Sequence, residues 1–271
     1  MKPRTLWILL LLAWTLAPMF WQVLTSFTSD AGLVNETMPS GHYWTLDHYR
    51  TLLASDPPFW RYLANSALVG SVSTVLTVLL AIPCAYQLAK LGQRWRRMVK
   101  LLVMAAALFP YVLLFLALLE LARQFQLGNN LLALAIPYSA LQMPLALLLL
   151  TAAFEGLPSD LDDAARLEGL SLRQRLRWVI LPLIKPATAS TAILVFLFAW
   201  NEYPIALTWL SRSDLLTLPV AMARIAGSSI YSIPYGAYAA STVLGAIPLM
   251  ILVLLFQRQI VRGLTNGAIK G

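Results

Sequence analysis

The chain has 271 residues, of which 59% are hydrophobic and only 12% charged, and its mean hydropathy is +0.70. A water-soluble domain carries about a quarter charged residues, so the composition excludes a soluble enzyme or binding module and implies a solvent that is partly lipid. The net charge of +8 would suit a nucleic-acid ligand, but the placement of the charges described below assigns it to membrane topology.

A helix rises about 1.5 Å per residue, so a hydrocarbon core of about 30 Å takes about 20 apolar residues. Six stretches qualify in chain order: about Thr5 to Phe27, Trp60 to Leu88, Val99 to Ala122, Leu131 to Phe154, Leu183 to Leu210 and Tyr235 to Phe256. The first follows Lys2 and Arg4, as a cleaved leader would. Its length and the lack of a clean small-x-small site favour a retained span. In the second, Cys84 beside Pro83 reads as a small packed residue, and a single cysteine excludes an intrachain disulfide. The expected division is residues 1–59 for the first span and an outer loop, 60–256 for the transmembrane domain, and 257–271 for a tail.

Orientation follows from the basic residues. With both termini inside, the inner segments hold Lys2, Arg4, Lys90, Arg94, Arg96, Arg97, Lys100, Arg166, Arg173, Arg175, Arg177, Lys185, Arg258, Arg262 and Lys270. The outer segments hold only Arg50, Arg61, Arg123, Arg212 and Arg224. This bias explains the basic pI through lipid headgroups and leaves no reason to expect nucleic acid.

The longest outer segment, from Thr28 to Phe59, contains Tyr43, Trp44, Tyr49 and the Pro57–Pro58 pair. Its aromatic residues read either as interfacial anchors or as a docking surface for an external partner. It also holds His42 and His48, which lack the further ligands a metal site needs, so no metal is expected. A second outer stretch, with Ser228, Ser229 and Tyr231, suits a loop or the mouth of a pathway.

The inner segment at 155–182 is more than a connector. Ser159 with Asp162 fits an N-terminal cap, and Asp160, Asp162 and Asp163 bring negative charge to a first helical turn. Gly169 sits where a helix ends in a left-handed residue. Ser171 with Gln174 is a second capping box, after which Leu172, Leu176 and Val179 form an apolar stripe. The expectation is a short helix, a glycine break and a second amphipathic helix, which either lies on the membrane surface or docks a soluble protein.

One carboxylate, Glu202, falls well inside an expected span, where a charge is costly and marks function by default. Asn201 and Tyr203 beside it add a donor, an acceptor and an aromatic face suited to a polyhydroxylated ligand, and Pro204 loosens the helix. The plainer alternative is that Glu202 pairs with a neighbouring subunit or caps a broken helix. Glu120, Gln142 and Asn65 are weaker polar candidates.

The loop resembles the EAA loop of binding-protein-dependent ABC importer permeases, which reads Glu-Ala-Ala, three residues, Gly, nine residues, Ile-x-Leu-Pro. Here the matching positions are Asp163-Ala164-Ala165, Gly169 and Val179-x-Leu181-Pro182, with Asp for Glu and Val for Ile. Asn65-Ser66-Ala67-Leu68, Trp200-Asn201-Glu202-Tyr203 and Thr217-Leu218-Pro219-Val220 are similar to segments of the sugar-permease branch. The tail from Gln257-Arg258 to Gly267-Ala268-Ile269-Lys270-Gly271 looks like that of maltose- and trehalose-type second permease subunits.

The resemblance implies an all-α fold of six transmembrane helices with both termini cytoplasmic, the type I ABC importer permease fold, in a bacterial inner membrane. It implies two ATPase subunits, a second permease subunit in a heterodimer, an extracytoplasmic solute-binding protein and a sugar substrate. It places ATPase docking on Asp163, Ala164, Ala165, Glu168, Gly169, Leu172 and Pro182, and lets the tail reach between the ATPases. No cofactor is expected in this subunit, ATP and Mg being held by the ATPase; the chain itself has no GxxxxGK[ST] loop. An ABC permease for a polyol or glycerol phosphate is the nearest alternative. A secondary transporter would call for repeated halves or several intramembrane charges, and a membrane enzyme for a catalytic set, and neither is seen.

Overall fold

The computed structural model describes residues 3–35, 44–227 and 234–268. His42, Tyr43, Ser228, Ser229, Tyr231 and the last three residues of the tail lie outside these. Among the described residues the chain is helical, with one isolated bridge between Thr28 and Trp44. Five helical runs are long and apolar enough to cross a membrane: Thr5–Ser26, Phe59–Lys90, Leu131–Glu155, Leu172–Asn201 and Tyr235–Gln257.

The remaining expected span, Val99 to Ala122, is not one straight helix. It falls on α5 (Gln93–Ala107), a 3-10 turn (Tyr111–Leu114) and α6 (Phe115–Gln124), and the two halves are bent by 75°. Pro110 stands at the break, where its ring and missing N–H stop the helix begun by α5. The expected span from Leu183 to Leu210 is also divided. The helix α10 (Leu181–Asn201) ends before Glu202, and a short helix α11 (Pro204–Trp209) follows.

Two compact units are present. One comprises Met1–Asn65 and Arg212–Ile251. Its helices are α1 (Pro3–Ser26), α2 (Asp30–Asn35), α3 (Asp47–Ala54), the first turns of α4 (Phe59–Lys90), α12 (Leu218–Ala226) and the first half of α13 (Tyr235–Ala268). Most of α1 is exposed, as a lipid-facing span would be. His48 is buried, and its Nε2 lies 2.9 Å from the Thr28 carbonyl. A methyl group added to Gly236 would overlap this imidazole ring, so the packing of α13 against α3 requires glycine there. Asn65 is a structural tie: its Nδ2 donates to the carbonyls of Asp214 (3.1 Å) and Leu216 (2.9 Å). The hydrogen bonds from Arg212 hold the Asp214 carboxyl below its ordinary range.

The other unit comprises Ser66–Ser211 and Leu252–Gly271. Its core joins α4, α7 (Leu131–Glu155) and α10 through Ala81, Ala85, Tyr86, Ala146, Leu150, Phe154, Ile184 and Val195. Lipid is as apolar as leucine, so helices associate here by close packing, and the alanines of α4 and α7 permit it. Several hydroxyls inside the helices are satisfied locally, as when Thr77 donates to the Ser73 carbonyl at 2.7 Å, whereas those of Thr151 and Thr188 have no partner among the described residues. Cys84, expected to be packed, is exposed on α4 along with Leu79, Leu80 and Pro83. In a membrane chain an apolar neighbourhood in sequence serves lipid-facing positions as readily as core ones.

Candidate functional site

The segment after α7 is assembled by local rules. Pro158 holds the N-cap position of α8 (Ser159–Leu167) in an extended conformation, so Ser159 is the first helical residue and not the expected cap. The helix closes with a paired motif. The Gly169 N–H donates to the Arg166 carbonyl at 3.0 Å, and the Leu170 N–H donates to the Ala165 carbonyl at 3.2 Å. This 5→2 and 6→1 pattern needs a left-handed residue between its donors, and Gly169 supplies it at φ 77.

Ser171 then opens the next helix through its box with Gln174. The Ser171 N–H donates to Gln174 Oε1 at 2.8 Å, and the Gln174 N–H to Ser171 Oγ at 3.4 Å. The expected second amphipathic helix is not separate. A turn of helix α9 (Leu172–Gln174) runs through a widened π turn (Arg175–Ile180) straight into α10. Pro182 accounts for the widening, since it lacks an N–H and its ring displaces the carbonyl four residues back. Leu176 and Val179 of the expected stripe pack on the core, while Leu172 stays exposed.

Of the residues assigned to docking, Asp163, Ala164, Glu168, Gly169, Leu172 and Pro182 are exposed, and Ala165 is buried in its own chain. Leu167 and Trp178, not singled out from the sequence, are 89% and 69% exposed. Exposed apolar side chains of this size beside charged ones suit a surface that meets a partner or the membrane interface.

The sequence reading also missed how the loop is held. The Tyr86 hydroxyl lies 2.9 Å from both oxygens of Asp162 and shares its one O–H between them, Arg175 Nη1 donates to Oδ1 at 3.0 Å, and the carboxylate is paired with Lys90. The Lys90 ammonium also lies 4.4 Å from the Tyr86 ring centroid. At the first residue of the loop, Glu155 binds Lys100 at 2.7 Å and Arg96 at 3.1 Å. A cavity of about 950 Å³ opens between α4, α5, α7 and α8, lined by Lys90, Arg97, Leu101, Phe154, Leu161 and Asp163 among others. The sole sequence signal for this cluster was the spacing of Tyr86 and Lys90, four apart on one helix face; Asp162 lies 76 residues from Tyr86.

Gly169 has open space where a Cβ would project, so substitution there strains only the backbone. We expect Gly169→Val to destabilise the loop by about 1–3 kcal/mol and Gly169→Asn, which tolerates the left-handed region, to cost much less. Protease nicking of the loop in the purified protein checks this, and equal resistance of the two variants would contradict it.

The second candidate region is at the end of α10. Glu202 does not sit inside a continuous span: it is the extended residue at the break, 3% exposed. Its Oε1 accepts the Ile205 N–H at 2.8 Å, and its Oε2 accepts the Ala206 N–H at 3.1 Å and the Tyr138 hydroxyl at 2.5 Å. Pro204 explains the break, being unable to continue α10 yet well suited to the first position of α11. Glu202 is therefore used as the cap of α11 and as the acceptor for Tyr138. Asn201 is exposed and donates to the Leu197 carbonyl at 2.7 Å, and Tyr203 is half-buried.

The profile of the family described as binding-protein-dependent transport system inner membrane component matches residues 73–266. The chain is 36% identical over 257 residues to the sulfoquinovosyl glycerol transport system permease protein SmoH of Agrobacterium fabrum, covering 94% of this chain and 89% of that one. It is 37% identical over 247 residues to the trehalose transport system permease protein SugB of Mycobacterium tuberculosis, covering 91% and 88%. It is 37% identical over 258 residues to the trehalose/maltose transport system permease protein MalG of Thermococcus litoralis, covering 94% and 92%. Its fold is similar to a chain in the crystal structure of a bacterial ABC transporter involved in the import of alginate, with a TM-score of 0.79 at 21% identity and 94% of each chain covered.

Proposed function

Because the chain belongs to the family of binding-protein-dependent transport system inner membrane components, we propose that it forms half of the transmembrane pathway of an ATP-driven sugar importer. It is a multi-pass membrane protein of the ABC permease class. Its relatives are named for trehalose, maltose and sulfoquinovosyl glycerol. These names favour an α-glucoside, a disaccharide or a glucosylated compatible solute as the substrate here.

The observation that carries the mechanism is the continuity of the exposed loop with α10. A soluble ATPase grips Asp163, Glu168, Leu167 and Leu172 from the cytoplasm, the side on which the basic residues place the loop. Closure of two such ATPases on ATP and Mg then displaces the loop, and α10 follows as a rigid extension of it, so the pathway changes from inward- to outward-facing. A second permease subunit completes the pathway, and a solute-binding protein delivers the sugar outside.

Gentle solubilisation and mass spectrometry should recover an ATPase, a second permease and a solute-binding protein with this chain. The binding protein's ligand should be the sugar taken up in vesicles. Recovery of this chain alone under several mild detergents would count against the assignment.

A further inference from the structure

We propose that Asp162 is a positioning residue that ties the docking loop to α4, so that two transmembrane helices, and not α10 alone, follow the ATPase. The inference rests on the importer reading above and concerns how motion leaves the loop.

Consecutive residues on a helix point about 100° apart. Asp163 is exposed at the rim of the cavity, open to a partner, while Asp162 is turned in, where its side chain is 15% exposed. Inside, it collects donors from both neighbours of α8. Tyr86 and Lys90 come from the inner end of α4, and Arg175 comes from the π turn that leads into α10. Arg175 is itself 14% exposed, and its Nε has no hydrogen-bond partner among the described residues. The carboxylate is thus the group that holds this buried guanidinium.

Both oxygens of Asp162 are engaged at once, Oδ1 by Arg175 and Oδ2 by Lys90, with the one Tyr86 O–H shared between them. Charge-assisted hydrogen bonds are short and directional, so the link resists shear between α8 and α4. Covalent continuity carries displacement to α10, and the Asp162 cluster carries it to α4. A loop lacking the cluster would still dock and still let the ATPases close, but α4 would lag.

The test uses the whole complex in vesicles with its binding protein and sugar, reading ATPase recovery, ATP hydrolysis and sugar taken up per ATP. Asp162→Asn should keep ATPase recovery and hydrolysis within about twofold of wild type. Uptake per ATP should fall by about tenfold, a loss within the usual range of coupling between sites. Tyr86→Phe, which removes one hydroxyl, should lower uptake per ATP by about threefold. The double variant should be no worse than Asp162→Asn, because both act through one link. Unchanged uptake per ATP in Asp162→Asn, or losses that multiply in the double variant, would overturn the proposal. Should Asp162→Asn fail to assemble, Tyr86→Phe decides, and wild-type uptake per ATP in that variant overturns it. A wild-type complex without ATP-dependent uptake would instead sink the importer reading, and this inference with it.

Discussion

Asp163→Arg is expected to abolish coupled sugar uptake while leaving the chain itself folded. Asp163 is exposed and belongs to no ion pair among the described residues, and a surface change of this kind moves stability by no more than about 0.5 kcal/mol. Across a docking interface the effect is larger. A basic group on the partner within about 4 Å contributes up to about 4 kcal/mol at an effective dielectric constant near 20. Reversal removes that attraction and puts repulsion of similar size in its place. Uptake should fall by at least about tenfold, with ATPase recovery reduced and the thermal midpoint of the purified chain unchanged. Uptake equal to wild type at equal expression would show that Asp163 is not at the interface.

The second large effect is expected at Glu202, with the opposite signature. Glu202→Ala strips the acceptor from the Tyr138 hydroxyl and from the Ile205 and Ala206 N–H groups, all buried. A buried donor left unsatisfied costs about 1–3 kcal/mol, so a total loss of about 3–5 kcal/mol follows once partial relaxation is allowed. Glu202→Gln keeps one carbonyl oxygen for the cap and should lose less than half of that. Thermal unfolding in detergent measures both. If Glu202 is a cap, the folded fraction falls while uptake per folded complex persists. If it contacts sugar, Glu202→Gln loses uptake at unchanged stability, and the cap assignment fails.

The two candidate regions were legible to different degrees, for a physical reason. In the loop, capping and glycine chemistry act over three to six residues. Ser171 with Gln174 and the left-handed Gly169 could therefore be read from neighbours in sequence. At the first helix start the same rules competed: Ser159 with Asp162 has the spacing of a cap, but Pro158 took the cap position and the Asp162 carboxylate was drawn to Tyr86 and Arg175. At Glu202, hydropathy averaged over a window carried the expected span across Trp200 to Pro204. That the carboxylate caps a broken helix is the plainer alternative the sequence offers there, and the structure takes it.

The apolar composition, the long apolar helices and the uneven spread of basic residues between alternate connecting segments follow from the sequence by itself, because transfer into lipid and interaction with headgroups are properties of single residues summed along the chain. The short-range turns of the loop follow for a similar reason. Only the tertiary structure decided which of two adjacent aspartates is held by α4 and Arg175, that α10 is continuous with the 155–182 segment, that the stretch around Pro110 bends by 75°, and that Cys84 is exposed. Each depends on partners far apart in sequence or on which face of an apolar helix meets protein. In a membrane chain both faces are apolar, so periodicity does not separate core from lipid, and the choice is made by packing.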